Sequence, residues 1–518
     1  MPTINPHIFR AYDIRGIAIA EPPKVGNTAK PAVPQGGTNT PDLTAETVYI
    51  IGKATATYLH KEYKSTHMAV GRDVRTTSDK LQKAFIRGVL ECGINVTDVG
   101  LSVSPMIYFA SCKDDLQFDC GVNITASHNP KEYNGIKIVA ANAHSICGPE
   151  LQIIRELAEK EDFHKPKIKG QLKKENIWPA YRDELVSKVN RIKNPLKVVI
   201  DAGNGSAGPF APELLAKTGA TIIPLFCEPD GNFPNHEANP EDENNMRQLT
   251  DKVLETNADI GIGFDGDGDR IGIIDEKGRH YSSDYLLLLL TKDLLTRWPA
   301  SRANKAAAQN SKTSAPANQN HGQPTPTNPK PQIVFDVKVS QAIINKMKEL
   351  GATPVMSKTG HSFIEKKMKE IHAPLAGEVS GHMFFAENYY GFDDAFLAAL
   401  KLIEILSTLD EPFSTLFEDL PKTFMTPEFK AHCPDDKKFA IVEALSAHFT
   451  SLYDCITIDG VRINFGPLAW GAVRASNTSP NLTLRFEAET PEKLQEIKTI
   501  MYEEIRKHPE VNLDWYKP

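Results

Sequence analysis

The 518 residues carry 59 Lys and Arg against 66 Asp and Glu, a formal net charge of −7, with 41% hydrophobic and 24% charged side chains. This is the composition of a globular chain with room for about three or four domains; it excludes a fibrous protein and argues against a general nucleic-acid binder, while leaving room for a local basic pocket for an anionic metabolite. Seven scattered cysteines without a CxxC pair read as buried, reduced thiols, the longest leucine run (residues 286–290) is too short to span a bilayer, and the first residues lack a charged and apolar leader, so no membrane partner and a cytoplasmic location are expected.

In chain order, residues 21–41 are rich in Pro, Gly, Thr and Asn and read as an irregular insertion, because so polar a stretch cannot bury enough apolar surface to offset its ordering entropy. A short apolar strand, Met68-Ala69-Val70, then meets a polar turn and a helix-like stretch, and a second strand starts at Gly93-Ile94-Asn95-Val96. A further apolar run over residues 120–125 ends at Thr125-Ala126-Ser127-His128-Asn129-Pro130. Asn129-Pro130 cannot continue a strand and Asn134-Gly135 is another turn signal, so Ser127 is expected on a loop with His128, with Lys137 just beyond it. An unmodified serine needs a base or other activation to attack, and taken alone the loop reads first as a Ser/Asn turn without chemistry.

The strand, helix, strand order returns at Val198-Val199-Ile200 and at Ile333-Val334-Phe335, a period of about 130 residues that suits duplicated domains. Each copy predicts βαβ units and a mixed, mostly parallel sheet. After the strands of the second copy comes Phe264-Asp265-Gly266-Asp267-Gly268-Asp269-Arg270. Three carboxylates this close repel unless a cation lies between them, and oxygen-only donors suit a hard ion such as Mg2+ at ~2.1 Å. Glycines between the donors let the oxygens converge. A calcium EF-hand loop is the rival, since Glu276 falls at its twelfth position, but Arg270 stands where that loop needs glycine and residues 271–274 read as strand. A solvated acidic turn is the plain alternative.

Residues 299–332 contain no Val, Ile, Leu, Met, Phe, Tyr or Trp and are expected to be a disordered insertion. The third copy then presents Gly377-Glu378-Val379-Ser380-Gly381-His382 at the equivalent strand end. Ligands of open α/β sheets bind beyond the carboxyl ends of strands, so the three ends are expected to face one cleft. From about residue 421 the order changes to strands at 455–458, 461–465 and 482–486 and a helix opened by Thr490-Pro491, an N-cap followed by proline at the first helical position. The loop Arg474-Ala475-Ser476-Asn477-Thr478-Ser479-Pro480 offers a guanidinium, hydroxyls and turn amides that can cradle a phosphate, or form a polar hairpin turn. Gly203-Asn204-Gly205-Ser206-Ala207-Gly208, after the strand at 198–200, matches the dinucleotide fingerprint GxGxxG, but Pro209 and Pro212 interrupt the helix such a site needs.

Together these stretches resemble the α-D-phosphohexomutases, most closely their phosphomannomutase/phosphoglucomutase branch. The markers are Tyr12-Asp13-Ile14-Arg15-Gly16, residues 125–130, 265–270, 377–382 and 474–478, in the family's order. The resemblance implies three similar α/β domains (1–169, 170–279 and 280–421) and a smaller α+β, TATA-box-binding-protein-like domain (422–518) around a central cleft. It implies that Ser127 is a phosphoserine and that Mg2+ is held by Asp265, Asp267, Asp269 and the Ser127 phosphate. Glu378 and Ser380, on the loop with Val379, Gly381 and His382, would grip sugar hydroxyls. Tyr12, Lys338 and His361 match further substrate contacts, and Arg474, Ala475, Ser476, Asn477 and Thr478 the site of the non-reacting phosphate. The implied reaction interconverts hexose 6-phosphate and hexose 1-phosphate through a hexose 1,6-bisphosphate, with Arg15, Lys137 and Arg270 neutralising the phosphoryl oxygens. His382 or Lys137 is expected to move the proton, with His128 a further candidate. Val379 and Asn477-Thr478-Ser479 depart from the glucosamine branch, so mannose and glucose phosphates are the expected substrates, handled by a monomer or small homo-oligomer.

Overall fold

The computed structural model describes residues 4–19, 41–310, 330–477 and 479–517, without the side chains of 299–310. Residues 20–40 and 311–329, the larger part of both expected insertions, and Thr478 of the phosphate loop therefore lie outside the described residues.

Four sheets follow one another along the chain. The first runs Ile14–Ile17, Tyr133–Ala140, Cys120–Ile124, His67–Arg72, Asn95–Leu101, Leu172–Lys174 from edge to edge. Its last strand takes the first unit past the boundary expected at residue 169. The second sheet is ordered His280–Tyr281, Ile271–Asp275, Ile260–Phe264, Lys197–Asp201, Thr221–Leu225, and the third Thr353–Ser357, Gln332–Asp336, Leu375–Gly377, Met383–Phe385. All three share one device. A strand parallel to the central one (Cys120–Ile124, Ile260–Phe264, Leu375–Gly377) turns sharply into an antiparallel neighbour (Tyr133–Ala140, Ile271–Asp275, Met383–Phe385). The sheets are thus mixed, and the connection inside each parallel-to-antiparallel switch holds Ser127, Asp265 to Arg270, or Glu378 to His382.

The fourth sheet is antiparallel throughout, ordered Phe424–Met425, Asn481–Ala488, Ala469–Ala475, Val461–Gly466, Cys455–Ile456, with Phe429–His432 also on Asn481–Ala488. Helices Lys438–Thr450 and Pro491–Ile505 pack on it, the second opened as expected by Thr490, whose hydroxyl accepts the amide of Lys493. Arg474 and Ala475 still belong to a strand, so the loop proper begins at Ser476.

Apolar packing divides the molecule differently from the sheets. One continuous core links Val103 and Phe109 of the first unit, Val198 and Ile262 of the second, and Leu287, Phe335 and Phe396 of the third. The fourth unit has a core of its own around Leu445, Val461, Val473, Leu484 and Ile497. Leu286 to Leu290 are all buried in helix Ser283–Asn310, as a helix apolar on every side must be. That helix runs on through Pro299 to Asn310, so the start of the segment expected to be irregular is helical. Lack of large apolar residues argues against burial, whereas the alanines at 303 and 306–308 favour helix regardless. No helix among the described residues is long and apolar enough to cross a membrane. None of the seven cysteines forms a disulfide; Cys92, Cys120 and Cys433 are buried, and Cys112, Cys147, Cys227 and Cys455 only partly.

Candidate active site

Strand Cys120–Ile124 delivers Ser127 to the edge of the second unit. Thr125 Oγ1 accepts the Ser127 amide at 2.9 Å, and the serine adopts φ = +52°, a left-handed conformation uncommon for a residue with a side chain. Its hydroxyl, 1% exposed, donates to Asp265 Oδ2 at 2.6 Å and lies 3.2 Å from His128 Nδ1. Gly266 explains how two loops come this close: a Cβ there would stand 2.4 Å from the Ser127 carbonyl oxygen.

Asp265, Asp267 and Asp269 converge as the alternation with glycine suggests, each offering a fully buried oxygen within 4.8 Å of the others. Burial, then Asp269 and Asp267, push the Asp265 carboxyl well above its ordinary range. Lys137 supplies countercharge, donating to Asp267 Oδ2 at 2.7 Å and to Asp269 Oδ2. Burial pulls its ammonium down, but the two carboxylates outweigh that and hold it charged, well above the ordinary lysine range. One oxygen each of Asp267 and Asp269 (both Oδ1) is buried with no hydrogen-bond partner. Orphaned carboxylate oxygens beside a converged oxygen donor set fit a hard divalent cation. The EF-hand alternative fails: Ile271–Asp275 is a strand, and Glu276 turns away to accept the Ser414 amide at 3.2 Å.

Arg270 joins this loop to the third. Its Nε donates to His382 Nε2 at 3.0 Å, and Gly381, at φ = +105°, packs where a Cβ would meet the Ile271 carbonyl oxygen at 2.7 Å. With Nε2 accepting, the His382 proton sits on Nδ1, 2.6 Å from Asp393 Oδ2 though not aligned as a hydrogen bond. Burial pulls His382 down to about 3 and His361 to about 4, so both imidazoles are neutral. His128, partly buried and facing Arg270 and Arg15, is held well below its ordinary value by desolvation and then by those two cations. The His361 ring lies 5.8 Å from His382 and 5.4 Å from Tyr12. Glu378 accepts the Gly360 amide, and burial followed by Asp336 pushes its carboxyl up to about 8. Val379 and Ser380 are buried in the same turn. Arg15 closes the group from the first unit, bonding Asp13 at 2.6 Å and Asn129 Oδ1 at 2.8 Å.

The fourth unit reaches the site by two routes. Lys338 pairs with Glu428 at 2.9 Å, and Asp459 accepts both the Thr359 amide (3.1 Å) and Arg474 Nε (2.7 Å), placing that guanidinium beside the third unit. Ala475 and Ser476 are buried next to Arg474, and the Ser476 hydroxyl is 2.8 Å from that of Ser479. Asn477 lines a separate, open groove with Arg10, Asp435 and Lys438.

Known proteins align with this chain over nearly its whole length. The signatures of the phosphoglucomutase/phosphomannomutase α/β/α domains I, II and III match residues 6–165, 179–278 and 282–424, and that of the C-terminal domain matches 428–504. The chain belongs to the phosphoglucomutase/phosphomannomutase family. The phosphomannomutase/phosphoglucomutase of Pseudomonas aeruginosa is 40% identical over 98% of this chain and 96% of its own, and the phosphoglucomutase of Neisseria gonorrhoeae 36% identical over 98% and 99%. A crystal structure of a phosphoglucomutase/phosphomannomutase family protein from Burkholderia thailandensis superposes with a TM-score of 0.81 at 31% identity, covering 98% of both chains.

In this phosphohexomutase the GxGxxG stretch has a structural use. Ser206 N donates to the Gly266 carbonyl at 2.9 Å and Gly205 packs on Gly266 itself, so the glycine-rich turn buttresses the carboxylate loop and leaves no space for a dinucleotide there. Sequence reasoning passed over several residues that hold the site: Ser104, whose amide and hydroxyl grip Asp267 at 2.8 and 2.6 Å; Asp393 beside His382; and Arg75 beneath the Ser127 loop. Ser104 and Asp393 carry no local signal, because what places them is tertiary. Asp73-Val74-Arg75, following an apolar strand, was the one visible hint.

Proposed function

We propose that the chain interconverts hexose 6-phosphate and hexose 1-phosphate, of mannose and of glucose, by lending and recovering a phosphoryl group carried on Ser127. The observation that supports this most is the Ser127 hydroxyl bonded to Asp265 at the rim of three converged carboxylates, with Arg15, Lys137 and Arg270 around it. Asp265, Asp267 and Asp269 would hold Mg2+, which when bound supplies positive charge to phosphoryl oxygens. The bond from phosphorus to Ser127 Oγ breaks as one forms to a sugar hydroxyl, giving a hexose 1,6-bisphosphate; that molecule turns end for end and its other phosphoryl group returns to Ser127. Lys137, fixed as a cation, and Arg270 and Arg15 stabilise charge on the transferred group. His382, neutral and with Nε2 released when Arg270 moves to phosphate, takes the hydroxyl proton and later gives it back. Glu378 and Ser380 grip sugar hydroxyls. Tyr12, Lys338 and His361 line the cleft, and Arg474 to Thr478 bind the phosphate that does not react. Mannose and glucose differ at one carbon, so a turn that holds other hydroxyls accepts both. The relatives' names, phosphomannomutase/phosphoglucomutase and phosphoglucomutase, support the same two sugars.

The test is a coupled assay with glucose, mannose and glucosamine 1-phosphates alongside intact-protein mass spectrometry. One phosphate on Ser127, restored by a hexose 1,6-bisphosphate, and loss of turnover by more than about 10³-fold in Ser127→Ala are expected. Full turnover without that hydroxyl or after stripping divalent ions would refute the reading.

A further inference from the structure

Beneath the Ser127 loop lies a guanidinium that touches none of the groups assigned above to substrate or metal. Arg75, 2% exposed, spends all five of its N–H donors within the protein. One NH2 group donates to the carbonyl oxygens of Ser127 (2.8 Å) and Asn129 (2.5 Å), and the other to those of Pro130 (2.6 Å) and Tyr133 (3.1 Å). Its Nε donates to Asp73 Oδ2 at 3.1 Å, and the other oxygen of Asp73 is fixed by the Ser78 hydroxyl and the Arg75 amide. Four carbonyls between Ser127 and Tyr133 thus converge on one planar cation, directly beneath a serine that stands at positive φ. The second unit closes over it: the Phe233 ring covers the guanidinium at 5.2 Å, and Gly231 packs so tightly that a Cβ would stand 2.4 Å from the Val74 carbonyl oxygen.

We propose that Arg75 is a positioning residue for phosphoryl transfer: it fixes the main chain of the Ser127 loop so that the serine oxygen keeps one pose as the phosphoryl group departs and returns, with the 231–233 turn sealing the clamp. Lysine offers three donors without a planar fork and cannot bridge the four carbonyls. The inference rests on Ser127 being the phosphoryl carrier, so wild type and variants share one experiment. Protein carrying a radiolabelled phosphoryl group on Ser127 is mixed with excess unlabelled glucose 6-phosphate, and the amplitude and rate constant of the transfer of label from protein to sugar are read separately. Arg75→Lys is expected to keep the amplitude and slow transfer about 10²-fold, with KM for glucose 1-phosphate within about twofold of wild type, since substrate contacts are untouched and misplacement near the chemistry costs that order of rate. Phe233→Leu keeps every donor and removes only the seal, and is expected to slow transfer about three- to tenfold at full amplitude. A merely structural role would lower the amplitude and leave the rate constant alone, overturning the proposal; so would an unchanged rate constant in Arg75→Lys or, where that variant does not fold, in Phe233→Leu. Wild type that carries no phosphate on Ser127 overturns the carrier reading and the clamp with it.

Discussion

The joint between the first and second units and the joint between the third and fourth are built from different materials. At the first, buried side-chain links such as Lys137 to Asp267 are joined by direct backbone packing: Gly266 against the Ser127 carbonyl, Gly231 against that of Val74, and the Ser104 amide on the Asp267 carbonyl, over an apolar core that the first three units share. At the second, side chains reach across. Arg462 lies 3.8 Å over the Trp470 ring and donates to the carbonyls of Val337 (2.6 Å) and Val339 (2.8 Å); Glu487 accepts from Ser340, Thr423 and the Gln341 amide; Lys338 pairs with Glu428. Long side chains can re-form such polar links with other partners, whereas a backbone contact at van der Waals distance has no slack. The Ser127 oxygen is therefore held where little yields, and the fourth unit where contacts can be exchanged.

Breaking the rigid joint has the larger effect. Gly266→Ala must push the Ser127 main chain away, and a displacement near 1 Å at the reacting oxygen lowers kcat about 10²-fold with KM almost unchanged. The fold survives, at a cost of about 1–3 kcal/mol from overpacking, because no core residue changes. Steady-state kinetics and a melting curve on the same sample check both statements; a KM effect larger than the kcat effect contradicts them.

The exchangeable joint responds in the opposite parameter. Arg462→Met leaves two buried carbonyls without a donor, destabilising the attachment of the fourth unit by about 1–3 kcal/mol. It also frees the turn that bears Lys338, so KM for hexose phosphate rises about tenfold while kcat falls less than threefold. Because the fourth unit has its own core, calorimetry is expected to show its transition separating from that of the other three units. A single transition, with kcat the parameter lost, would mean the two joints are equally rigid.

Much of this contrast was legible in the chain, though unevenly. Period and strand-end position located residues 127, 265–270 and 377–382, since each is a local break in an apolar run. The crowding of Asp265, Asp267 and Asp269 pointed to a group that could hold a cation, because charge repulsion is a property of sequence neighbours. What could not be read is what glycine and arginine do at a distance. Gly231 and Gly266 are silent until another backbone lies against them, and Arg75 is 52 residues from the serine whose carbonyl it holds. Helix Ser283–Asn310 misled for another reason, in that a stretch judged on burial alone hides its intrinsic helical preference.

The finest probe of the exchangeable joint is acid. Burial pushes the Glu428 carboxyl up, but Lys338, 2.9 Å away, outweighs it and holds it down to about 2 from an ordinary 4.5. A carboxyl depressed in the folded state stabilises that state above its unfolded value and stops doing so as pH falls through the folded one. Wild type should therefore exceed Glu428→Gln in the stability of the fourth unit by on the order of 1 kcal/mol above about pH 5, and the gap should close between there and pH 2. Gln keeps an acceptor for Lys338, so the difference isolates the charge. Gly266→Ala changes no charge at the first joint and should run parallel to wild type over the same range. A gap for Glu428→Gln that is flat with pH would place the attachment of the fourth unit in packing, and the two joints would then differ in position only.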